Sequence, residues 1–411
     1  MNKYLCRHCS AKLTTQVLDL GHAPPSNSYI LPEQLNKPEL TFPLRLRICE
    51  ECWLLQTEDY TDASLLFDHN YAYFSSTSQS WLEHAKDFVF EMVSRLGLSS
   101  TSHVLEIASN DGYLLRNFID RKIPCLGIEP TKSTAIVAEQ LGIPVERSFF
   151  DSKLAEKLAK SGKLSDLVIA NNVLAHVPDI NDFCLGLAKV LKPNGVLSVE
   201  VPYLVNLIRS CQFDTVYHEH FSYFSFHTIN KIFAKHGLKV FDVEKIGTHG
   251  GSLRVFACLE KANYQRTEQC IRLEEIENQF GIKHVSFYSN LQEQSENIKD
   301  SFIRFLIDAK AEGKSVAAYG AAAKGNTLLN FAGIRPDLIR CVFDAAAAKQ
   351  GKFLPGSHIP ILSPKELSSE YFDYIVILPW NLSDEISIAL SKVIKPNTFF
   401  VTAIPEIKVF R

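Results

Sequence analysis

The sequence predicts an α/β protein built in three parts: a small N-terminal domain stapled by cysteines, a central Rossmann-like domain and a C-terminal Rossmann-like domain. Three observations lead there. The chain's 411 residues exceed one ordinary core, at roughly 100–200 residues per domain. Two separate segments, beginning at His103 and Ser315, each read apolar strand, small-residue turn, helix. Four of the ten cysteines fall as two close pairs near the N-terminus, Cys6/Cys9 and Cys49/Cys52, whereas the others are scattered singly.

Composition narrows the function. Hydrophobic residues make up 46% and charged residues 22%, the balance of a folded globular protein. Forty-three basic against 46 acidic side chains give a net charge of −3, so no general field draws in nucleic acid or anionic lipid. No run approaches the roughly 18 apolar residues a membrane span needs, and MNKYLCRHCS lacks an apolar signal core. No membrane partner and a cytoplasmic location are expected.

The first part, 1–65, carries Pro24-Pro25, Pro32, Pro38 and Pro43 and few periodic segments. Its apolar residues make too small a core to rely on burial alone. Cys6-Arg7-His8-Cys9 and Cys49-Glu50-Glu51-Cys52 are two C-x2-C knuckles with 39 residues between them. Each knuckle turns two thiolates towards one centre, and two knuckles complete a tetrahedral zinc site. Four thiolates leave no open coordination position, so the zinc is expected to be structural. A redox role for the pairs is the alternative.

The second part, 66–270, opens with helical spacing over Ser80–Leu96. A strand at His103–Ile107 leads into the turn at 108–112 and a helix from Tyr113. Further strands read at Pro124–Glu129, Ser165–Ala170 and Val196–Val201, the last behind Lys192-Pro-Asn-Gly. Strands alternating with helices mean a parallel, doubly wound sheet with ligands at the strands' carboxyl ends. In the third part, 285–411, a polar helix over 285–312 precedes Ser315-Val-Ala-Ala-Tyr-Gly-Ala-Ala-Ala-Lys324-Gly-Asn. Strands follow at Cys341–Asp344 and Tyr374–Leu378, with Phe399-Phe-Val a further candidate.

The first turn, Glu106-Ile-Ala108-Ser-Asn110-Asp-Gly112, lacks the G-x-G-x-x-G that lets a backbone approach a pyrophosphate. Its acidic character suits a cationic, phosphate-free ligand, and S-adenosylmethionine (SAM) fits better than NAD. Glu129 ends the next strand 17 positions after Gly112, where a carboxylate can take both ribose hydroxyls. With Asn171 these residues form the candidate cofactor site. A structural turn with a surface glutamate is the plain alternative.

The sharpest cluster is Tyr217-His218-Glu219-His220-Phe-Ser-Tyr223. Two histidines flanking a glutamate beside a tyrosine suggest general acid–base work. H-E-H is not H-E-x-x-H, so a zinc-protease helix is not supported. Thr248-His249-Gly-Gly offers a second hydrogen-bonding loop, and Tyr71-Ala-Tyr73 either lids a pocket or packs. Lys324 either cradles a diphosphate beside the helix N-terminus or caps a surface loop.

Taken in order, CRHC, ICEECWLLQT, YAYFSS, VLEIASNDGYLL, LGIEP, ANNVLAHVPDINDF, QFDTVYHEHFSYFS, THGGSLRVFA, YGAAAKGNTLLN, KQGKFLPG and ILPWN resemble the nucleotide-sugar C-methyltransferases. The likeness is greatest to TDP-sugar C-3′-methyltransferases of deoxysugar pathways of the kijanose or tetronitrose type, and it spans nearly the whole chain. The resemblance implies a zinc domain, a central SAM-binding domain, and a C-terminal Rossmann-like domain that helps hold the sugar nucleotide. It implies that Cys6, Cys9, Cys49 and Cys52 ligate zinc. His220 would be the base, with Tyr217 and Glu219 beside it and Tyr71 facing it. Asn172 and His176 would line the cleft and Lys324 contact the diphosphate, with Tyr73, His218, Tyr223 and His249 as further substrate-binding candidates. It also implies a monomer. Ala345–Ala348 departs from the Asn-Pro-containing turn usual in that family.

An electrophilic methyl needs a carbon nucleophile, and a sugar carbon becomes one only beside a ketone. The expected substrate is therefore a nucleoside-diphosphate 4-keto-6-deoxy sugar, TDP-linked or alternatively GDP-linked. His220 would remove the C-3 proton. Tyr217, Tyr71 or His218 would stabilise the enolate oxygen, and Glu219 would orient the histidine. The competing readings are an NAD-dependent nucleotide-sugar oxidoreductase and a zinc-dependent binding module.

Overall fold

The computed structural model describes residues 4–58, 74–77 and 79–411. Tyr71 and Tyr73 lie outside them. Among the described residues no helix is long and apolar enough to cross a membrane.

Strands β1 (Thr15–Ala23), β2 (Phe42–Ile48) and β3 (Leu55–Thr57) form an antiparallel sheet between and after the cysteine knuckles. Its fourth strand is borrowed from far along the chain: β9 (Ser222–Tyr223) pairs with β3 through Leu55↔Tyr223 and Gln56↔Ser222. The segment carrying Tyr217–His220 is therefore fastened to the cysteine-stapled unit.

The central sheet contains β4 (Val104–Ile107), β5 (Cys125–Ile128), β6 (Val145–Glu146), β7 (Ser165–Ile169), β8 (Leu191–Pro202), β10 (Leu238–Ile246) and β11 (Ser252–Leu259), in the order β10-β11-β8-β7-β4-β5-β6. Strands β4 to β8 are parallel, and Val104–Ile107 and Leu167–Ile169 are buried at every position, as a sheet covered on both faces requires, with Glu106 the one charged residue among them. Helices Ser152–Lys160, Ile180–Val190 and Phe226–Lys235 begin at Asp151, Asp179 and Ser225, each of which caps with its side chain.

Three readings are corrected. The helix expected from Tyr113 is only Arg116–Ile119, because Tyr113, Leu114, Leu115 and Phe118 are all buried and leave no amphipathic face. The strand expected from Val196 begins at Leu191. The antiparallel strands β10 and β11, joined by the loop at 247–251, depart from the parallel sheet that alternation with helices implied.

The C-terminal sheet runs β14 (Ile361–Leu362), β13 (Val342–Phe343), β12 (Val316–Tyr319), β15 (Tyr374–Ile377), β16 (Phe399–Thr402) and β17 (Lys408–Phe410), all parallel except β17. The polar segment before it is a short turn at Val285–Phe287 and a helix, Leu291–Ala311.

The small sheet obtains its core by sharing. Leu18, Leu44, Leu46 and Ile48 join Phe302 and Leu306 of that helix and Val342 and Val376 of the C-terminal sheet in one apolar cluster. On the other side Cys6, Cys49, Cys52 and Leu54 belong to the cluster of Phe226, Ile229 and Phe233. It thus bridges both Rossmann-like units. In each open sheet the order reverses at one place, between β4 and β7 and between β12 and β15. Ligand crevices form there, beyond the carboxyl ends.

Candidate active site

Both crevices open into one cavity of about 740 Å³, a volume within the range of small-molecule sites. Residues following β4, β5 and β7 line one part of it, residues following β12 and β15 another, and Tyr217, Glu219 and His220 also face it.

In the first part, Ala108, Asn110, Glu129, Asn171 and Asn172 all line the cavity. Ala108, Asn110 and Asn172 adopt left-handed backbone, φ +57°, +49° and +54°. Non-glycine residues rarely adopt this conformation, and it concentrates at ligand sites. Glu129 accepts from the backbone N–H of Asn110 at 2.9 Å and of Thr131 at 2.8 Å. Glu106 does not line the cavity. It lies buried on β4 with its carboxyl pushed well above the usual carboxylate range by burial and by Asp111 and Glu129. Gly112, at φ +78°, also stays out of the cavity: a Cβ there would meet Ile143 at 2.4 Å, so it permits close helix–sheet packing. Ser75 and Ser76 donate backbone N–H groups to Asn110 Oδ1 (3.0 Å) and Asp111 Oδ2 (3.1 Å), tying this stretch of chain to the turn.

These donors fit SAM better than a dinucleotide. The turn offers no G-x-G-x-x-G to bring its backbone against a diphosphate, and Glu129 stands where a carboxyl can take ribose hydroxyls. Among the described residues Asn171 Oδ1 and both side-chain atoms of Asn172 are buried without a hydrogen-bond partner, as expected of groups that await a polar ligand.

Residues 217–220 form a turn closed by His220 N–H donating to the Tyr217 carbonyl at 2.9 Å. A turn of this type brings its first and fourth residues together. Tyr217 Oη and His220 Nε2 accordingly lie 2.7 Å apart, and the rings' centroids 4.0 Å. His220 Nδ1 is 3.1 Å from the Thr215 carbonyl, which only accepts, so the hydrogen is assigned to Nδ1 and the lone pair to Nε2. His176, which lines the cavity, sits edge-on to His220 with ring centroids 4.6 Å apart.

The two middle residues of the turn go elsewhere, and this corrects two expectations. His218 Nε2 lies 3.3 Å from the carbonyls of both Phe42 and Pro43, bracing the small sheet, and does not face the cavity. Glu219 does face it, but it does not orient His220: its Oε2 accepts from Asn27 Nδ2 at 2.6 Å, and the Thr215 carbonyl holds the histidine instead. Burial, opposed by Asn27, pushes the Glu219 carboxyl up to about 7. Tyr223, in β9, is buried outside the cavity. His249 falls in the turn Thr248–Gly250, and its side chain lies outside those described.

In the C-terminal part Lys324 lines the cavity, donates to Asn381 Oδ1 at 2.6 Å and lies 5.0 Å from the Trp380 ring. Burial lowers its pKa, while buried Asp214 opposes that shift. Sequence reasoning missed Lys349, a second cation of the cavity, which donates to the Ala321 carbonyl at 2.9 Å and pairs with Asp344 at 3.4 Å. Asn27 was missed as well. Ala345–Ala348 still turns the chain, with the Ala346 N–H donating to Asp344 Oδ1 at 2.8 Å.

Away from the cavity, the ligand atoms of Cys6, Cys9, Cys49 and Cys52 all lie within 4.8 Å of one another, two pairs of sulfurs at 3.5 Å. Tetrahedral zinc with bonds of about 2.3 Å has sulfur–sulfur edges of about 3.8 Å, so the set fits. Gln56 Nε2 donates to Cys6 Sγ at 3.3 Å, one residue before Thr57, whose N–H donates to the Phe221 carbonyl.

Three family profiles match the chain in succession: "Putative zinc binding domain" over residues 6–67, "Methyltransferase domain" over 81–243 and "C-methyltransferase C-terminal domain" over 247–405. The chain is 34% identical over 404 residues to the C-methyltransferase NovU of Streptomyces niveus, a match covering 98% of this chain and 96% of that one. It is 24% identical over 221 residues to a ubiquinone biosynthesis O-methyltransferase of Rhizobium rhizogenes, covering 51% of this chain and 73% of the other.

Proposed function

The chain belongs to the C-methyltransferase family and is a SAM-dependent methyltransferase, and on that premise we propose that it methylates C-3 of a nucleoside-diphosphate 4-keto-6-deoxy sugar, with His220 as the base. TDP is the favoured carrier and GDP the second. One observation carries the reading. A single cavity is lined by Asn110 and Glu129, by the Tyr217–His220 pair, and by the cations Lys324 and Lys349. A sulfonium cofactor, a carbon acid and a diphosphate are the three things these groups suit.

Glu129 would take the ribose hydroxyls and Asn171 and Asn172 polar groups of the cofactor, which supplies an electrophilic methyl on a sulfonium. Lys324 and Lys349 would hold the diphosphate and so fix the sugar's position. The C-4 carbonyl acidifies the C-3 proton. His220 Nε2 takes that proton once Tyr217 gives up its bond to the nitrogen, and the C–H electron pair becomes the C-3/C-4 double bond of an enolate. The Thr215 carbonyl stays on Nδ1–H and supports the imidazolium that results. The turn without G-x-G-x-x-G opposes the oxidoreductase alternative.

The test is incubation of the zinc-loaded protein with methyl-labelled SAM and a panel of TDP- and GDP-4-keto-6-deoxy sugars, followed by nuclear magnetic resonance. Label on C-3 is expected. Label on a sugar oxygen, or on none of the sugars, overturns the substrate reading.

A further inference from the structure

We propose that Glu219 acts as a neutral carboxylic acid whose Oε1–H donates a hydrogen bond to the substrate's carbonyl oxygen as negative charge develops there. The role rests on the reading above, that an enolate forms in this cavity, and replaces the expectation that Glu219 serves His220.

The argument begins with what an enolate needs and which groups can give it. Its oxygen requires a donor aimed at the place where charge appears, and such a donor typically contributes 10²–10³ in rate. The candidates read from the sequence are committed elsewhere or lie outside the described residues. His218 is turned to the carbonyls of Phe42 and Pro43. The Tyr217 hydroxyl rests on His220 Nε2 and is released only as that nitrogen takes the proton, so it is not a donor already in place at the carbonyl, and the Thr215 hydroxyl donates to the Gln212 carbonyl at 2.8 Å. Glu219 stands between Tyr217 and His220 in sequence and lines the same cavity.

Its two oxygens differ. Oε2 accepts from the Asn27 amide at 2.6 Å, whereas buried Oε1 meets no hydrogen-bond partner among the described residues. An amide N–H must be met by an acceptor, so Asn27 reserves Oε2 as the carbonyl side. A proton on the group therefore resides on Oε1, where a ligand oxygen is its natural acceptor. Among the described residues no cation pairs with this carboxyl. The titratable groups around it are Tyr217 and His220 of its own turn, His176 from the turn Leu174–His176, and Tyr29 next to Asn27, with the Lys349–Asp344 pair beyond Tyr29. Burial without a compensating cation favours the neutral acid. In the step itself the C-3 proton goes to His220 Nε2, the carbonyl π pair moves onto the C-4 oxygen, and the Glu219 proton stays on Oε1 as a hydrogen-bond donor throughout.

The experiment compares Glu219→Gln with Glu219→Leu in the full-length, zinc-loaded protein. Glutamine presents its carbonyl to Asn27 and its NH₂ at the place of Oε1, so it keeps a donor without an ionisable proton. C-3 deuterium exchange of a TDP-4-keto-6-deoxy sugar in D₂O is expected to remain within about tenfold of wild type in the glutamine variant and to fall by about 10²–10³-fold in the leucine variant. Above pH 7 the wild-type rate should decline through loss of the acid form, and this decline should vanish in Glu219→Gln. Equal, large losses in both variants overturn the donor role, as does an unchanged alkaline limb in Glu219→Gln. A second readout needs no substrate: the infrared stretch of a protonated carboxyl, in the wild type minus Glu219→Gln difference at pH 6. Its presence supports the neutral acid, and its absence sinks the proposal even if sugar methylation stands. Exchange by the wild type with none of the sugars, beside a clear infrared band, counts against the substrate reading instead.

Discussion

Glu219 should cost the folded protein stability at alkaline pH, and the cost can be worked out. Its carboxyl titrates at about 7 in the folded chain against 4.5 for the unburied group, because burial disfavours the anion and only Asn27 supports it. A carboxyl whose folded value lies above its unfolded one holds its proton more tightly when folded. Stability therefore falls as pH rises from 4.5 towards 7, and the loss is complete above that window. The full difference is about 3 kcal/mol at 1.36 kcal/mol per unit, of which about 2 kcal/mol is lost between pH 5.5 and 8.5. Glu219→Gln has no such proton. The melting temperature of the variant minus that of wild type should therefore grow by about 2–3 °C across that range, at about 1 °C per kcal/mol for 411 residues that share their cores. Scanning calorimetry of zinc-loaded protein at half-unit pH steps measures it. A difference that stays constant with pH would refute the reasoning, because it would mean that Glu219 is already ionised, or solvated, in the folded state.

Three other outcomes follow from the same geometry. Glu129→Ala should weaken SAM binding by about 10–100-fold in titration calorimetry, since a charged group hydrogen-bonding the ligand contributes about 1.5–3 kcal/mol, while nucleotide-sugar binding stays unchanged. Lys324→Ala should raise KM for the nucleotide sugar about tenfold or more and leave kcat within a few-fold, because a diphosphate contact remote from the reacting carbon binds substrate and transition state alike. Cys49→Ser should lose zinc and lower turnover although no cysteine lines the cavity, because β3 carries β9 and hence the His220 turn. A zinc-free protein with unchanged kcat would break that link.

Much of the architecture was legible because it rests on local chemistry. The C-x2-C pairs announce a shared centre, and an apolar strand followed by a small-residue turn announces a Rossmann-like crevice wherever it occurs. That Glu129 faces the crevice was legible for the same reason, a carboxylate ending the strand after the turn. The candidate catalytic segment was legible only as a cluster. In Tyr217–His220 the residue types carry the chemistry, but direction comes from a non-repetitive turn whose first and fourth side chains meet while the middle two diverge. No periodicity reports that, so His218 and Glu219 were given the wrong neighbours. Asn27 and Lys349 were invisible for a different reason. Asn27 meets Glu219 across 192 residues of chain, and Lys349 is turned inward by the Ala321 carbonyl and Asp344 at the crevice of the C-terminal sheet. Tyr223 looked like one more aromatic of a binding cluster, yet its strand is what joins the two units.

The account stands or falls on the imidazole at position 220. The most direct measurement is C-3 hydrogen–deuterium exchange of the 4-keto sugar by His220→Asn, together with SAM affinity of the same variant. Exchange and methyl transfer should both drop by about 10²–10⁴-fold while SAM binds as in wild type. Exchange at the wild-type rate, with the variant folded and SAM bound, would mean that another group takes the proton.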